Sequence, residues 1–536
     1  MNKSKPKLEL TWIGKETRPK LEPRVLVEGP DKSYHAKHRI TDNDLFDNRL
    51  IFGDNLLALK ALEQKFSGKI KCIFIDPPYN TGSAFDHYDD GVEHSLWLSL
   101  MRDRLEVMRQ LLDLSGSLWV TLDDNEAHYF RVMADEVFGR KNFIADIAWQ
   151  KKYSPGNNQK GLSSDNDHIL VWAKNVDTWA WNLLPRTEKQ DAAYKNPDND
   201  PRGLWKASDL TRSEHRDRDF YPIKTPSGKE VLPATGRSWS RPPDEIERLR
   251  ADNRLWFGPK GDAKPSLKRF LTDVQEGIVA RTIWLRDEVG DNEEAKKEAK
   301  TFNEADIFGT PKPERLVQRV LQISTKPGDL VLDSFAGSGT TGAVAHKMGR
   351  RWIMVELGEH CHTHIIPRMK KVIDGEDQGG ITEAVGWKGG GGFRYYRIAP
   401  SLLEQDKWGR WVINKEFNAA MLAEALCKIE GFTYAPSDSI YWQHGRSTER
   451  DFLYITTQNL TREQLAQLSD EVGPERSLLV LCPAFRGKAD FPNLTVKKIP
   501  KAVLARCEWG HDDYSLKVEN LPKAPPPKGQ QEIPLT

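Results

Sequence analysis

The sequence predicts an α/β protein whose mostly parallel sheet is interrupted by a long insert. Three observations predict it. A strand–helix–strand pattern runs from Arg49 to Ile75, and a glycine-rich turn joins a strand to a helix at 330–342. Between them, from about 175 to 300, turn residues are dense and basic and aromatic residues interleave. Strands alternating with helices favour parallel pairing.

Taken in order, residues 1–45 are charged and lack sustained periodicity, which reads as an arm. Arg49-Leu50-Ile51-Phe52 is a short strand ending at Gly53-Asp54, and Leu56, Leu57, Leu59, Ala61 and Leu62 mark a helix after it. The β-branched run 70–75 is a buried strand. Pro77 and Pro78, which lack N–H groups and fix φ, stop it. A helix over 96–114 places Leu98, Met101, Leu105, Met108 and Leu112 mostly on one stripe, with Gly116 ending it. A strand at 117–122, a helix at 129–138 and strands at 144–149 and 168–172 complete a first half, 46–175.

The insert spans 176–305 and carries Arg202, Trp205, Lys206, Arg212, Arg216, Arg218, Arg237, Trp239 and Arg241; its charged helix 293–300 reads as solvated. The α/β pattern resumes over 306–400, with a helix at 313–324, a strand at 330–332, the glycine turn, a helix, and a strand at 352–355 ending at Glu356. A further αβ domain over 401–520 has strands near 452–455 and 478–481, and 521–536 is a proline-rich flexible tail. A chain of 536 residues is too long for one ordinary core.

Composition excludes several classes. Lys+Arg number 79 against 78 Asp+Glu, so polyanion binding would need a local basic face. The five cysteines (Cys72, Cys361, Cys427, Cys482, Cys507) are scattered and contain no Cys-x-x-Cys pair, which argues against a disulfide framework or a cysteine zinc site. No apolar run approaches the ~20 residues of a membrane span. The first residues lack a signal-peptide core, so a soluble cytoplasmic protein without membrane contact is expected.

Two motifs carry chemistry. Asp76-Pro77-Pro78-Tyr79 holds a carboxylate, a rigid elbow and an aromatic ring at a strand's carboxyl end, where open α/β sheets place ligands. That set suits an exocyclic amino group on a planar ring: Asp76 and the Pro77 carbonyl accept its hydrogens while Tyr79 stacks on the ring. Gly337-Ser338-Gly339-Thr340-Thr341-Gly342 fits G-x-G-x-x-G between strand and helix, and Glu356 follows Gly337 by 19 residues to take ribose hydroxyls. Alone, this turn does not separate a dinucleotide from S-adenosylmethionine, so a nicotinamide oxidoreductase stands as the rival reading. It leaves Asp76 to Tyr79 unexplained.

Together the motifs resemble the amino-methyltransferases of DNA, in which a Phe-x-Gly-x-Gly loop binds S-adenosyl-L-methionine and Asp-Pro-Pro-Tyr holds the target amino group. This sequence carries Phe335-Ala336-Gly337-Ser338-Gly339 and Asp76-Pro77-Pro78-Tyr79-Asn80-Thr81-Gly82. It is also similar at Gly53-Asp54-Asn55-Leu56, at Phe138-Gly139, and at Lys312-Pro313-Glu314-Arg315-Leu316. The catalytic motif precedes the cofactor loop, as in the β class. The resemblance covers roughly residues 45–400 and looks closest to type III modification subunits and related solitary adenine methyltransferases.

The resemblance implies a circularly permuted Rossmann-like S-adenosylmethionine-dependent methyltransferase sheet with an inserted target-recognition domain and a C-terminal αβ region. It implies that Asp76, Pro77, Pro78 and Tyr79 are catalytic. Asp54, Asp333, Phe335, Ala336, Gly337, Ser338, Gly339, Thr340, Glu356 and Lys312 would bind the cofactor, with no metal required. The substrate would be a flipped-out adenine N6 in double-stranded DNA. N4-cytosine, an RNA base or a protein amide are the alternatives. A separate restriction/helicase subunit and a homodimer are the implied protein partners in a restriction-modification system.

Other features read as structural. His360, Cys361, His362 and His364 do not converge on one helix face, Gly389 to Gly392 is a bend, and Asp123-Asp124 and Asp89-Asp90 are solvent-facing turns.

Overall fold

In the computed structural model, the described residues are 9–79, 94–154, 161–274, 277–304, 306 and 308–514. Asn80-Thr81-Gly82, Asp89-Asp90 and the tail at 521–536 lie outside them. The chain divides into two compact units, Met1–Asn182 with Arg281–Thr536, and Leu183–Ala280.

The larger unit is organised by an 11-stranded sheet. Its strands are β1 (Leu26–Glu28), β2 (Tyr34–His35), β3 (Asn48–Phe52), β4 (Ile70–Ile75), β5 (Leu112–Leu122), β6 (Phe143–Gln150), β7 (Asn166–Ala173), β8 (Ile283–Trp284), β9 (Leu330–Asp333), β10 (Arg351–Glu356) and β11 (Gly392–Ile398). The spatial order is β1-β11-β3-β10-β9-β4-β5-β7-β6-β8, with β2 beside β11. From β11 to β5 every pairing is parallel, and β7 runs antiparallel between β5 and β6.

If β9 is counted as the first strand, β10 is the second, β3 the third and β4 the fourth. The chain therefore opens at the third strand of a doubly wound sheet, as the sequence implied. Parallel pairing brings the carboxyl ends of β3, β10, β9 and β4 to one edge, which carries Asp54, Glu356, Asp333 and Asp76.

Around the sheet lie α1 (Asn55–Phe66), α2 (His94–Leu111), α3 (Ala127–Phe138), α4 (Glu314–Ser324), α5 (Thr340–Lys347) and α6 (Ile366–Asp374). The main core joins Ile51, Ile73, Ile75, Leu118, Val120, Leu332, Ile353 and Val355 to Leu57, Met101, Leu105 and Met108 of the helices. Burial on both faces explains why β4 and β9 read as continuous apolar runs.

Three expectations differ from the structure. Gly116 does not end α2; the helix stops at Leu111 and β5 begins at once, with Gly116 inside it. A Cβ there would lie 2.8 Å from the Ile70 carbonyl oxygen, where the β4–β5 register shifts, so the glycine serves a close backbone approach. The N-terminal segment is no loose lead-in, because β1 adds antiparallel to β11. The charged helix, Asn292–Lys300, buries Ala295, Glu298 and Ala299 rather than being solvated all round. Its Glu298 accepts a 3.0 Å bond from the Glu314 N–H at the start of α4.

Beyond β11, α7 (Ala419–Glu430) and α8 (Arg462–Val472) flank a five-stranded sheet that includes β12 (Asp451–Ile455), β13 (Ser477–Cys482) and β14 (Leu494–Lys498). Val25 and Ala399 share its apolar core, which ties this region to the large sheet. No helix among the described residues is long and apolar enough to cross a membrane.

Candidate functional site

Asp76 stands one residue beyond β4. Its Oδ1 accepts hydrogen bonds from the Tyr79 hydroxyl at 2.9 Å and from Thr121 Oγ1, and its Oδ2 pairs with Lys312 Nζ. Lys312 Nζ also lies 5.2 Å from the centre of the Tyr79 ring. The elbow itself is pinned by the Trp97 indole, which donates 2.8 Å to the Pro78 carbonyl. Burial, reinforced by the Asp76 charge, raises the Tyr79 phenol well above its ordinary value and keeps it a donor.

The glycine turn begins at Asp333, whose carboxylate accepts the Phe335 N–H at 2.9 Å and the Thr341 hydroxyl at 2.6 Å. Burial outweighs these bonds and raises Asp333 to about 7. Gly337 and Gly339 take φ of 53° and 77°, the left-handed region that costs glycine little. Gly337 N–H donates 2.8 Å to Glu356 Oε2, while Leu357 and Gly358 N–H groups bond Oε1. Burial opposes ionisation of Glu356, yet His360 and these amides prevail and hold it below the usual range.

Asp54 caps α1 by accepting the Leu57 N–H at 3.0 Å with Oδ1. Its Oδ2 accepts the Tyr514 N–H at 3.0 Å and faces Arg104 at 3.5 Å. Arg104 also donates to the Tyr514 carbonyl at 2.7 Å and to Asn55, whose amide reaches the Ser334 carbonyl. The segment leading to Tyr514 is anchored by Arg24, which bonds the His511 carbonyl and Asp512.

One cleft gathers these elements. Asp54, Pro78, Phe335 and Glu356 all line it, so the proline elbow and the glycine turn face the same space. Not every implied residue does so. Ser338 and Thr340 turn their hydroxyls to each other, the buried Arg368 donates to the Thr340 hydroxyl and the Ser338 carbonyl, and Asp333 is taken up by the Phe335 N–H. Lys312, assigned to the cofactor by resemblance, sits on Asp76 instead. Ala336, Gly337 and Gly339 contribute backbone shape, with Ala336 and Gly337 N–H groups bonded to Val355 and Glu356. Sequence reasoning missed Asn55, Leu100, Met101, Arg104 and Leu357 on the cleft wall; the α2 stripe through Met101 was the available signal.

The donor set fits an adenosine-containing cofactor. Two acids, Asp54 and Glu356, stand on adjacent strand ends, and the cleft they line is walled largely by apolar residues, Phe335 among them. The histidines go to separate partners: His360 to Glu356, His362 to Tyr395 and Glu359, and His364 to the Asp306 carbonyl.

Within the unit Leu183–Ala280, much of the aromatic and basic interleaving is internal. Trp205 and Trp239 are buried, Arg202 grips Asp200, and Arg237 and Arg254 pair with Asp209 and Asp273. An exception lies on the strand pair Trp205–Asp209 and Ser266–Phe270, where Lys206 and Arg269 are direct cross-strand neighbours and both exposed. Like charges so placed destabilise a sheet.

The permuted strand order and the shared cleft define a Rossmann-like methyltransferase fold. The DNA methylase family profile matches residues 70–367, more than half of the chain, and the chain belongs to that family. Among relatives, it is 32% identical over 414 residues to the probable type III restriction-modification enzyme HindVI Mod subunit of Haemophilus influenzae, covering 68% of this chain and 55% of that one. It is 31% identical over 367 residues to the StyLTI Mod subunit of Salmonella typhimurium, covering 62% and 55%. The EcoPI Mod subunit of Escherichia phage P1 is 28% identical over 408 residues, covering 64% and 62%. The chain thus spans little more than half the length of the first two.

Proposed function

We propose that this chain methylates the N6 amino group of adenine in DNA, using S-adenosyl-L-methionine. The observation that carries the reading is the common cleft of Pro78, Phe335, Glu356 and Asp54, with Asp76 beside it. The cofactor, when bound, supplies an electrophilic sulfonium methyl. Asp54 would accept the cofactor's adenine amino group, Glu356 would hold ribose hydroxyls, and Phe335 would cover the methionine side.

An aromatic amine is a poor nucleophile because its lone pair is delocalised into the ring. Asp76 accepting one amino hydrogen, with the Pro77 carbonyl taking the other, favours a more tetrahedral nitrogen with an exposed lone pair. Lys312, Tyr79 and Thr121 hold the carboxylate before the base arrives, so little reorganisation accompanies reaction. Tyr79 stacks on the extruded base, worth about 1–3 kcal/mol.

Aspartate at the first motif position supports adenine over cytosine, as the resemblance implies. The Mod-subunit relatives support a separate restriction partner, with self-association a further proposal, and the unit Leu183–Ala280 is the candidate for target recognition. The test is transfer of labelled methyl to diverse unmethylated DNA, followed by nucleoside analysis. N6-methyladenine is expected; N4-methylcytosine would overturn the base assignment, and no incorporation would overturn the activity.

A further inference from the structure

Beyond methyl transfer, the geometry points to a binding site for a divalent transition-metal ion of the zinc type, held by Asp124, His128 and His168. One ligand atom from each lies within 4.8 Å of the others. The fold brings them together from three places. Asp124 follows β5, His128 is in the first turn of α3, and His168 is on β7 directly opposite Leu122 of β5.

The arrangement is more than a chance cluster, because His168 is already oriented as metal-bound histidines are. Its Nδ1 bonds the Asp146 carboxylate on β6 at 2.9 Å, and its Nε2 faces Asp124 Oδ1 at 3.0 Å. A carboxylate on one ring nitrogen fixes the tautomer and ring plane, and an ion would take the place of the proton that Nε2 shares with Asp124. The His128 ring meets the His168 ring edge-on with centroids 5.4 Å apart, which brings a second imidazole to the same point. Ligand atoms about 2.0–2.1 Å from an ion stand at most roughly 4.2 Å apart. Rotation of the exposed Asp124 and His128 side chains closes that small gap.

Two imidazoles and one carboxylate select zinc, nickel or cobalt over magnesium or calcium, which take oxygen ligands. Exposure of two of the three ligands leaves positions for water. The ion would clip the β5–α3 loop to β7. His168 faces away from the preceding Asp167, which lies on the Asp76 side of the strand, so no role in the transfer step is assigned to the ion.

The experiment uses the full chain, free of any affinity tag and stripped with chelator, titrated calorimetrically with zinc chloride alone. One equivalent is expected to bind and to raise the thermal midpoint. The Asp124→Ala/His128→Ala double variant, altered only at exposed positions, should keep the metal-free midpoint and lose at least tenfold in affinity. Asp146→Asn should weaken binding by about 10–100-fold. Absence of stoichiometric zinc binding, undiminished binding in the double variant, or equal binding of magnesium would each overturn the site.

Discussion

Two clusters of charge flank the glycine turn, and they are built to opposite ends. At Asp76, a carboxylate still 21% exposed meets Lys312, Tyr79 and Thr121, close in sequence to Pro78 on the cleft wall. Beneath the turn, Glu314 is 2% exposed and fully engaged by Lys347 at 2.7 Å, Arg368 at 2.9 Å and the Ile381 N–H at 3.0 Å. Burial opposes ionisation of Glu314, but Arg368 and Lys347 hold it below the usual range. The first cluster is open enough to meet a substrate while keeping its partners, whereas the second is closed. On the proposed reading, similar residue types serve chemistry in one place and scaffolding in the other, and access to solvent decides which.

The comparison can be broken most directly at its buried member. Glu314→Ala takes from Arg368 its hydrogen-bonded carboxylate and leaves Lys347 with Asp377 alone, and should destabilise the fold by about 3–5 kcal/mol, read as a lower denaturant midpoint. Asp76→Ala should reverse the pattern: a smaller fall in midpoint, retained S-adenosylmethionine binding by calorimetry, and methyl transfer slowed on the order of 10²–10³-fold. Equal loss of stability in the two variants would erase the distinction.

The insert gives a milder test. Lys206→Ala with Arg269→Ala relieves a like-charge pair, so stability should hold or rise. DNA affinity should fall similarly for all sequences, and the salt-dependence slope should shrink by about 2. An unchanged slope in filter binding would remove these residues from the DNA face.

A pH dependence tests the edge of the buried cluster. Burial, reinforced by the Glu314 charge, raises Glu298 from 4.5 to about 8. Over that window the folded chain keeps a proton that the unfolded chain has lost, so stability declines as pH rises through it. Glu298→Gln should match wild type near about pH 5 and melt above it near about pH 8.5. Parallel melting profiles would show the carboxyl to be ionised throughout.

Much of this was legible in the sequence because each key strand ends in a residue pattern with one physical meaning. Pro77-Pro78 can only terminate β4, and Gly337 with Gly339 can only turn tightly before α5. Those two stops, with Glu356 and Asp54 as strand-end acids, placed the motifs on strands, and the family resemblance implied the permuted order. Arg104 was illegible because a polar residue on an amphipathic helix reads as solvated until its neighbours are known. The Tyr514–Asp54 contact spans 460 positions and leaves no local trace. In the insert, arginine beside tryptophan describes a packed core and a DNA face equally well, and only burial separates Trp205 from Lys206.

Tyr514 gives the Asp54 side of the cleft an unusual tether. Its amide and carbonyl bridge Asp54 and Arg104, while its neighbours are fastened to Arg24 near the other terminus. On the proposed reading of Asp54, an incoming nucleoside would share its Oδ2 with that peptide group, so grip on the cofactor would depend on how firmly Arg24 holds the segment through His511 and Asp512.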